Sequence, residues 1–72
     1  METWKQIDEY EEAYARLADR RKELWRRLVA HRMAGAGRQA DRVKTELERL
    51  DYQGMKLAER IAELATFALK GA

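Results

Sequence analysis

Apolar side chains recur along this chain at alternating steps of three and four. In the first half they are Ile7, Tyr10, Tyr14, Leu17, Leu24 and Leu28, with His31 closing the series and Arg21 on the one missing beat. In the second half they are Ala40, Val43, Leu47, Leu50, Leu57, Ile61, Leu64 and Ala68, with Gly54 on the missing beat. Such spacing keeps one stripe of an α-helix in line and is the seam of a left-handed coiled coil. It predicts a helix over about 4–34 and another over about 38–69, each about 45 Å long at ~1.5 Å per residue. Between them, Gly35-Ala36-Gly37 supplies a helix stop and a tight reversal. At the front, Thr3 followed by Gln6 has the spacing of a capping box. Residues 1–72 therefore read as one all-α domain, an antiparallel two-helix hairpin.

Folding the chain at the glycines fixes a register. Ile7 falls opposite Ala68, Tyr10 opposite Leu64, Tyr14 opposite Ile61 and Leu17 opposite Leu57. Leu24 then meets Leu50, Leu28 meets Leu47 and His31 meets Val43. The paired numbers total 75 and 74 in turn, and the two irregular positions, Arg21 and Gly54, land in one layer. The steric reading is that Gly54 leaves room for the Arg21 stem, whose guanidinium then reaches a carboxylate such as Asp51. Glycine inside a helix costs roughly 1 kcal/mol against alanine, so a compensating reason is expected there. Trp4, Tyr10 and Tyr14 are expected to close the core at the open end together with Phe67, and Tyr52 is expected to point outward without a role.

A second stripe accompanies the first. It runs through Ala15, Ala18, Lys22, Trp25 and Val29 on the first helix, and through Met55, Ala58, Ala62, Ala65 and Leu69 on the second. Both lie on one flank of the seam. An isolated hairpin would carry charge there, and a two-helix core of this size leaves little net stability once chain entropy is counted. The stripe is therefore read as a protein interface of Ala15, Ala18, Trp25, Val29, Met55, Ala58, Ala62, Ala65 and Leu69. Its expected occupant is a second copy in a homodimeric four-helix bundle. Trp25 is expected to carry most of the contact energy.

Composition supports the helical reading and removes most chemistry. Proline, cysteine, serine and asparagine are absent, and 39 % of the residues are charged. Without serine or cysteine the usual acyl-transfer nucleophiles are missing, and no disulfide or thiolate metal site can form. His31 is the only histidine, no Glu-x-x-His pair occurs, and the glycines follow no strand, so no catalytic, cofactor or metal site is expected. Glu59 and Glu63 are one turn apart and are expected to pair with Lys56 and Arg60. The polar opening Met1-Glu2-Thr3-Trp4-Lys5 lacks the apolar stretch of a secretory signal, and no segment approaches the ~20 apolar residues of a membrane span. A cytoplasmic, non-enzymatic protein without membrane contact is the expectation.

The net charge of +2 is unevenly spread. Residues 1–15 carry five acidic side chains and one basic, residues 16–44 ten basic and three acidic, and residues 45–72 four basic and five acidic. The turn end is basic and the open end acidic. Arg27, Arg32, Arg38 and Arg42 gather about the turn, where a helix N-terminus adds free N–H groups, and they are the candidate contacts for an anion or nucleic acid. The leading expectation is a small interaction or regulatory protein that self-associates through the second stripe and binds a protein partner. The alternatives are a nucleic-acid-binding regulator using the basic turn end, and a small co-chaperone cradling a partner helix.

Overall fold

The computed structural model describes residues 2–71; residues 1 and 72 of the single expected domain lie outside the described residues. Helix α1 spans Glu2–Met33 and helix α2 spans Gly37–Gly71. They pack side by side as a hairpin whose Cα atoms extend 55 × 15 × 12 Å. A long apolar stripe on each helix, with no proline to interrupt it, is sufficient cause for both elements.

The helix ends differ from the sequence reading by a turn or less. The first helix begins at Glu2, so Thr3 already lies within it. The capping box does not form: neither Thr3 nor Gln6 has a side-chain hydrogen bond among the described residues. A helical Thr3 no longer holds its hydroxyl in the non-helical geometry that capping requires. Gly37 belongs to α2 and not to the turn, which leaves Ala34, Gly35 and Ala36 as the connection.

The turn is a complete Schellman motif. Gly35 has φ of +71°, the left-handed conformation that glycine adopts without a Cβ penalty. The Gly35 N–H donates to the Arg32 carbonyl at 3.2 Å, and the Ala36 N–H to the His31 carbonyl at 2.8 Å. These two bonds satisfy carbonyls that the end of α1 would otherwise leave open. The Ala36 carbonyl then accepts the Ala40 N–H at 3.0 Å, so Ala36 is the N-cap of α2. Alanine has no side-chain oxygen, so α2 starts without a side-chain cap and with no acidic residue in its first turn.

The core follows the expected seam. Ile7, Leu24, Leu28, Ala40, Leu47 and Leu64 are buried, and Leu24 is the most enclosed at 1 % exposure. Four of them, Leu24, Leu28, Ala40 and Leu47, form one cluster near the turn, with Val43 and Leu50 packed against it. His31 is half-buried at the end of this cluster. Toward the open end the seam thins: Tyr10, Leu17, Leu57, Ile61 and Ala68 are half-buried, and Tyr14 is exposed.

The expected aromatic closure of the open end is not there. Trp4 is 49 % exposed and Phe67 is 67 % exposed. Counted from the seam positions, Trp4 lies on one flank and Phe67 on the other. The two rings therefore cannot meet over the same stretch of core, and neither reaches it alone.

Candidate functional site

Neither helix buries more than one stripe, so both broad faces of the hairpin are open, and each carries a groove. The first groove, of about 520 Å³, is lined by Tyr14, Leu17, Ala18, Arg21, Lys22, Leu50, Asp51, Gly54, Met55 and Ala58. It brings Ala18 and Lys22 of α1 to the same side as Met55 and Ala58 of α2, so the two halves of the second stripe share one face. Along that face Trp25, Val29, Met55 and Leu69 are exposed, as are Ala15, Ala18, Ala58 and Ala62, while Ala65 is half-buried. Helical periodicity places all of them on this flank.

Arg21 and Gly54 lie together in this groove, as the register requires. The Arg21 Nε donates to an Asp51 carboxylate oxygen at 2.7 Å, the partner anticipated from sequence. The guanidinium also stands 5.9 Å from the centroid of the Trp25 ring, within reach of a cation–π contact. The steric role assigned to Gly54 is overturned. A Cβ at Gly54 would meet only the Tyr14 ring edge, at an ordinary 3.8 Å, and no atom of Arg21 within 4 Å. Arg21 leans over the rim toward Asp51 and Trp25 and so does not need the space that glycine leaves.

The second groove, of about 640 Å³, lies on the opposite flank. Its floor is Leu17, Leu57 and Ala13; its sides are Tyr10, Tyr52 and Gln53; its cations are Arg16, Lys56 and Arg60. Lys56 Nζ lies 5.5 Å from the Tyr52 ring centroid and 3.9 Å from Glu59. Arg60 pairs with Glu63 at 3.2 Å. Glu63 first, and then the Tyr10 hydroxyl, hold the Arg60 guanidinium above its ordinary pKa. Both carboxylates thus pair one turn away on α2, as expected. Arg16 has no ion pair among the described residues.

This groove escaped the sequence reading. Periodicity places Tyr10 in the core and gives Tyr52 no role, yet Tyr52, 59 % exposed, forms one wall with Lys56 folded across it. The available signal was the i,i+4 pair Tyr52 and Lys56 on the flank carrying Arg16 and Arg60. It was masked because the apolar floor belongs to the main seam.

The turn-end arginines are arranged differently. Arg27 donates to Glu23 at 2.7 Å, one turn back on its own helix, so its charge is engaged there. Arg32, Arg38 and Arg42 are exposed, and none of the four lines either groove. No group of three or more His, Asp or Glu among the described residues is placed to hold a metal ion. No helix among the described residues is long and apolar enough to cross a membrane.

No protein-family model matches the chain, and neither curated proteins nor solved structures give a match.

Proposed function

We propose that this chain is a non-enzymatic interaction protein that pairs with a second copy of itself through the stripe of Trp25, Val29, Ala18, Met55, Ala62 and Leu69, forming a four-helix bundle that offers its remaining surface to a protein partner. The observation that carries this reading is the exposure of Trp25, Val29, Met55 and Leu69 on one flank, linked by small alanines. Trp25, at 43 %, is the broadest of them in the turn half. Area supports it: a compact monomer of 8.5 kDa exposes about 4,700 Å² by the usual size scaling, whereas this hairpin exposes 5845 Å². The excess is roughly what one partner of a standard interface hides, about 800 Å² and upward.

The stripe also has a shape suited to its own copy. It runs diagonally, with bulky Trp25 and Val29 on α1 near the turn and small Ala62 and Ala65 on α2 toward the open end. A twofold axis perpendicular to the stripe, passing near Ala18 and Met55, lays the bulky end of each copy over the small-residue end of the other. The same operation sets each basic turn end over an acidic open end, so the charge asymmetry and the side-chain sizes ask for one arrangement. A co-chaperone that cradles a foreign helix would use this face too, and then no self-association would compete for it.

Light scattering coupled to size exclusion tests the reading. A dimer is expected at tens of micromolar, order of magnitude. Trp25→Ala and, more strongly, Ala62→Glu should convert it to a monomer that remains helical by circular dichroism. A monomeric wild type over that range removes the proposal.

A further inference from the structure

We infer that the groove on the other flank, between Tyr10, Arg16 and Leu17 of α1 and Tyr52, Lys56 and Arg60 of α2, is the docking site for an acidic amphipathic helix of another protein. The inference names the chemistry of the partner left open above. It does not depend on self-association, which uses the opposite face.

Three features select that occupant. The first is length: the lining runs from Tyr10 to Leu17 on α1 and from Tyr52 to Arg60 on α2, about 11 Å of groove at ~1.5 Å per residue. A docked helix presents apolar anchors at i, i+3 or i+4 and i+7 over the same distance, two helical turns. The second is the floor, where Leu17, Leu57 and Ala13 give an apolar trough that an aliphatic side chain can enter and a phosphate cannot use. The third is the rim. Three cations line the groove and no carboxylate does. Glu63 holds Arg60 by a single terminal nitrogen, leaving most of its five donors unengaged. Lys56 is poised over Tyr52, close to Glu59 only at 3.9 Å. A helix with leucines in the trough and glutamates on both shoulders meets all three, and the rim then sets its on-rate and salt sensitivity.

The test uses the intact protein and fluorescence anisotropy with three labelled probes. They are a three-heptad peptide with leucine at a and d and glutamate at e and g, its twin with lysine in place of glutamate, and an oligouridylate. The glutamate peptide should bind, more weakly as salt rises, and the lysine twin should not. Neutralising the rim in Arg16→Gln/Lys56→Gln/Arg60→Gln should weaken binding about thirtyfold, at roughly threefold per exposed charge removed. Arg26→Ala, an exposed cation that lines neither groove, should leave it unchanged, which ties binding to this groove and not to positive charge in general. Because the salt dependence is read on the wild type, the result stands even if the triple variant folds poorly. Equal binding of the two peptides, or no binding of the glutamate peptide, overturns the inference. Tight binding of the oligouridylate, lost in the triple variant, overturns it in favour of a nucleic-acid groove.

Discussion

The two ends of the hairpin are built to different standards. In the turn half Leu24, Leu28, Ala40 and Leu47 close into one buried cluster, backed by Val43 and Leu50. A complete Schellman turn holds one end of it, and Arg20, Arg21 and Arg27 bridge to Glu23, Glu46 and Asp51 around it. In the open half, among the described residues, only Ile7 and Leu64 are buried, and Trp4, Tyr14, Phe67 and Leu69 face solvent. The same seam runs through both halves, so the difference does not lie in the periodicity. It lies in side-chain size and in what stands opposite. Leucine opposite leucine fills a layer where its neighbours are also apolar, as at Leu24 and Leu28, whereas Leu17 and Leu57, beside the Arg21–Gly54 layer, stay half-buried. Tyrosine opposite isoleucine, as at Tyr14 and Ile61, leaves much of the tyrosine out. A two-helix rod has no third element to cover that surplus, and under the proposed pairing the partner's Trp25 and Val29 would do so. The well-packed half of each copy then supports the loose half of the other.

The largest difference between the halves is expected at Leu24. Leu24→Ala removes the most enclosed side chain and should cost about 3 kcal/mol or more, enough to unfold much of a chain this small at room temperature. Urea titration followed by circular dichroism measures it. Leu64→Ala in the open half should cost about 2 kcal/mol, because its surroundings are already partly open and collapse more readily. Equal costs would mean that the open end is as tightly built as the turn. Native-state hydrogen exchange sharpens the contrast: amides near Leu24 and Leu47 should exchange through global opening, and those near Ile7 and Ile61 through cheaper local fraying. Raising the protein concentration should slow exchange mainly in the open half, where local fraying leaves the most protection for a second copy to add.

Gly54 gives an effect of the opposite sign. It sits in the helical interior with an ordinary φ, and a Cβ there would touch the Tyr14 ring edge at an unstrained distance. Gly54→Ala should therefore stabilise the hairpin by about 1 kcal/mol, chiefly by restricting the unfolded chain. It would also supply a surface for Tyr14 where the seam is thinnest. A melting temperature that falls would show that the second copy packs against the bare backbone at Gly54.

How much of this was legible in the sequence follows from the physics of each feature. Periodicity is a property of single helices, so the two elements, their stripes and the register are readable. The reversal is readable because Gly35 is one of the few residues content at positive φ. The Arg21–Asp51 pair followed from register alone. The exact start of the first helix, and with it the Thr3 cap, is not readable from periodicity, and neither is the place where a large side chain comes to rest. Trp4 and Phe67 share the open end, yet seam positions place them on opposite flanks. Arg21 and Gly54 share a layer, yet sharing a layer does not make one the reason for the other. The Tyr52–Lys56 wall lies off the seam, where periodicity gives no signal, although residues one turn apart on a helix face each other as surely as seam partners do.

The smallest effect concerns the ion pairs of the turn half. Arg20 reaches Glu23 on its own helix at 3.1 Å and Glu46 across the hairpin at 3.4 Å. Its side chain is 42 % exposed, and both carboxylates are about half exposed, so water screens all three. Arg20→Gln keeps most of the stem that lies along the helix while removing the charge, and it should cost no more than about 0.5 kcal/mol, shrinking further in high salt. A loss well above 1 kcal/mol that salt abolishes would mean that charge, and not the leucine cluster, holds the turn half together. The contrast between the ends would then be one of electrostatics. It would vanish as ionic strength rises, whereas a contrast made by buried leucines survives in any salt.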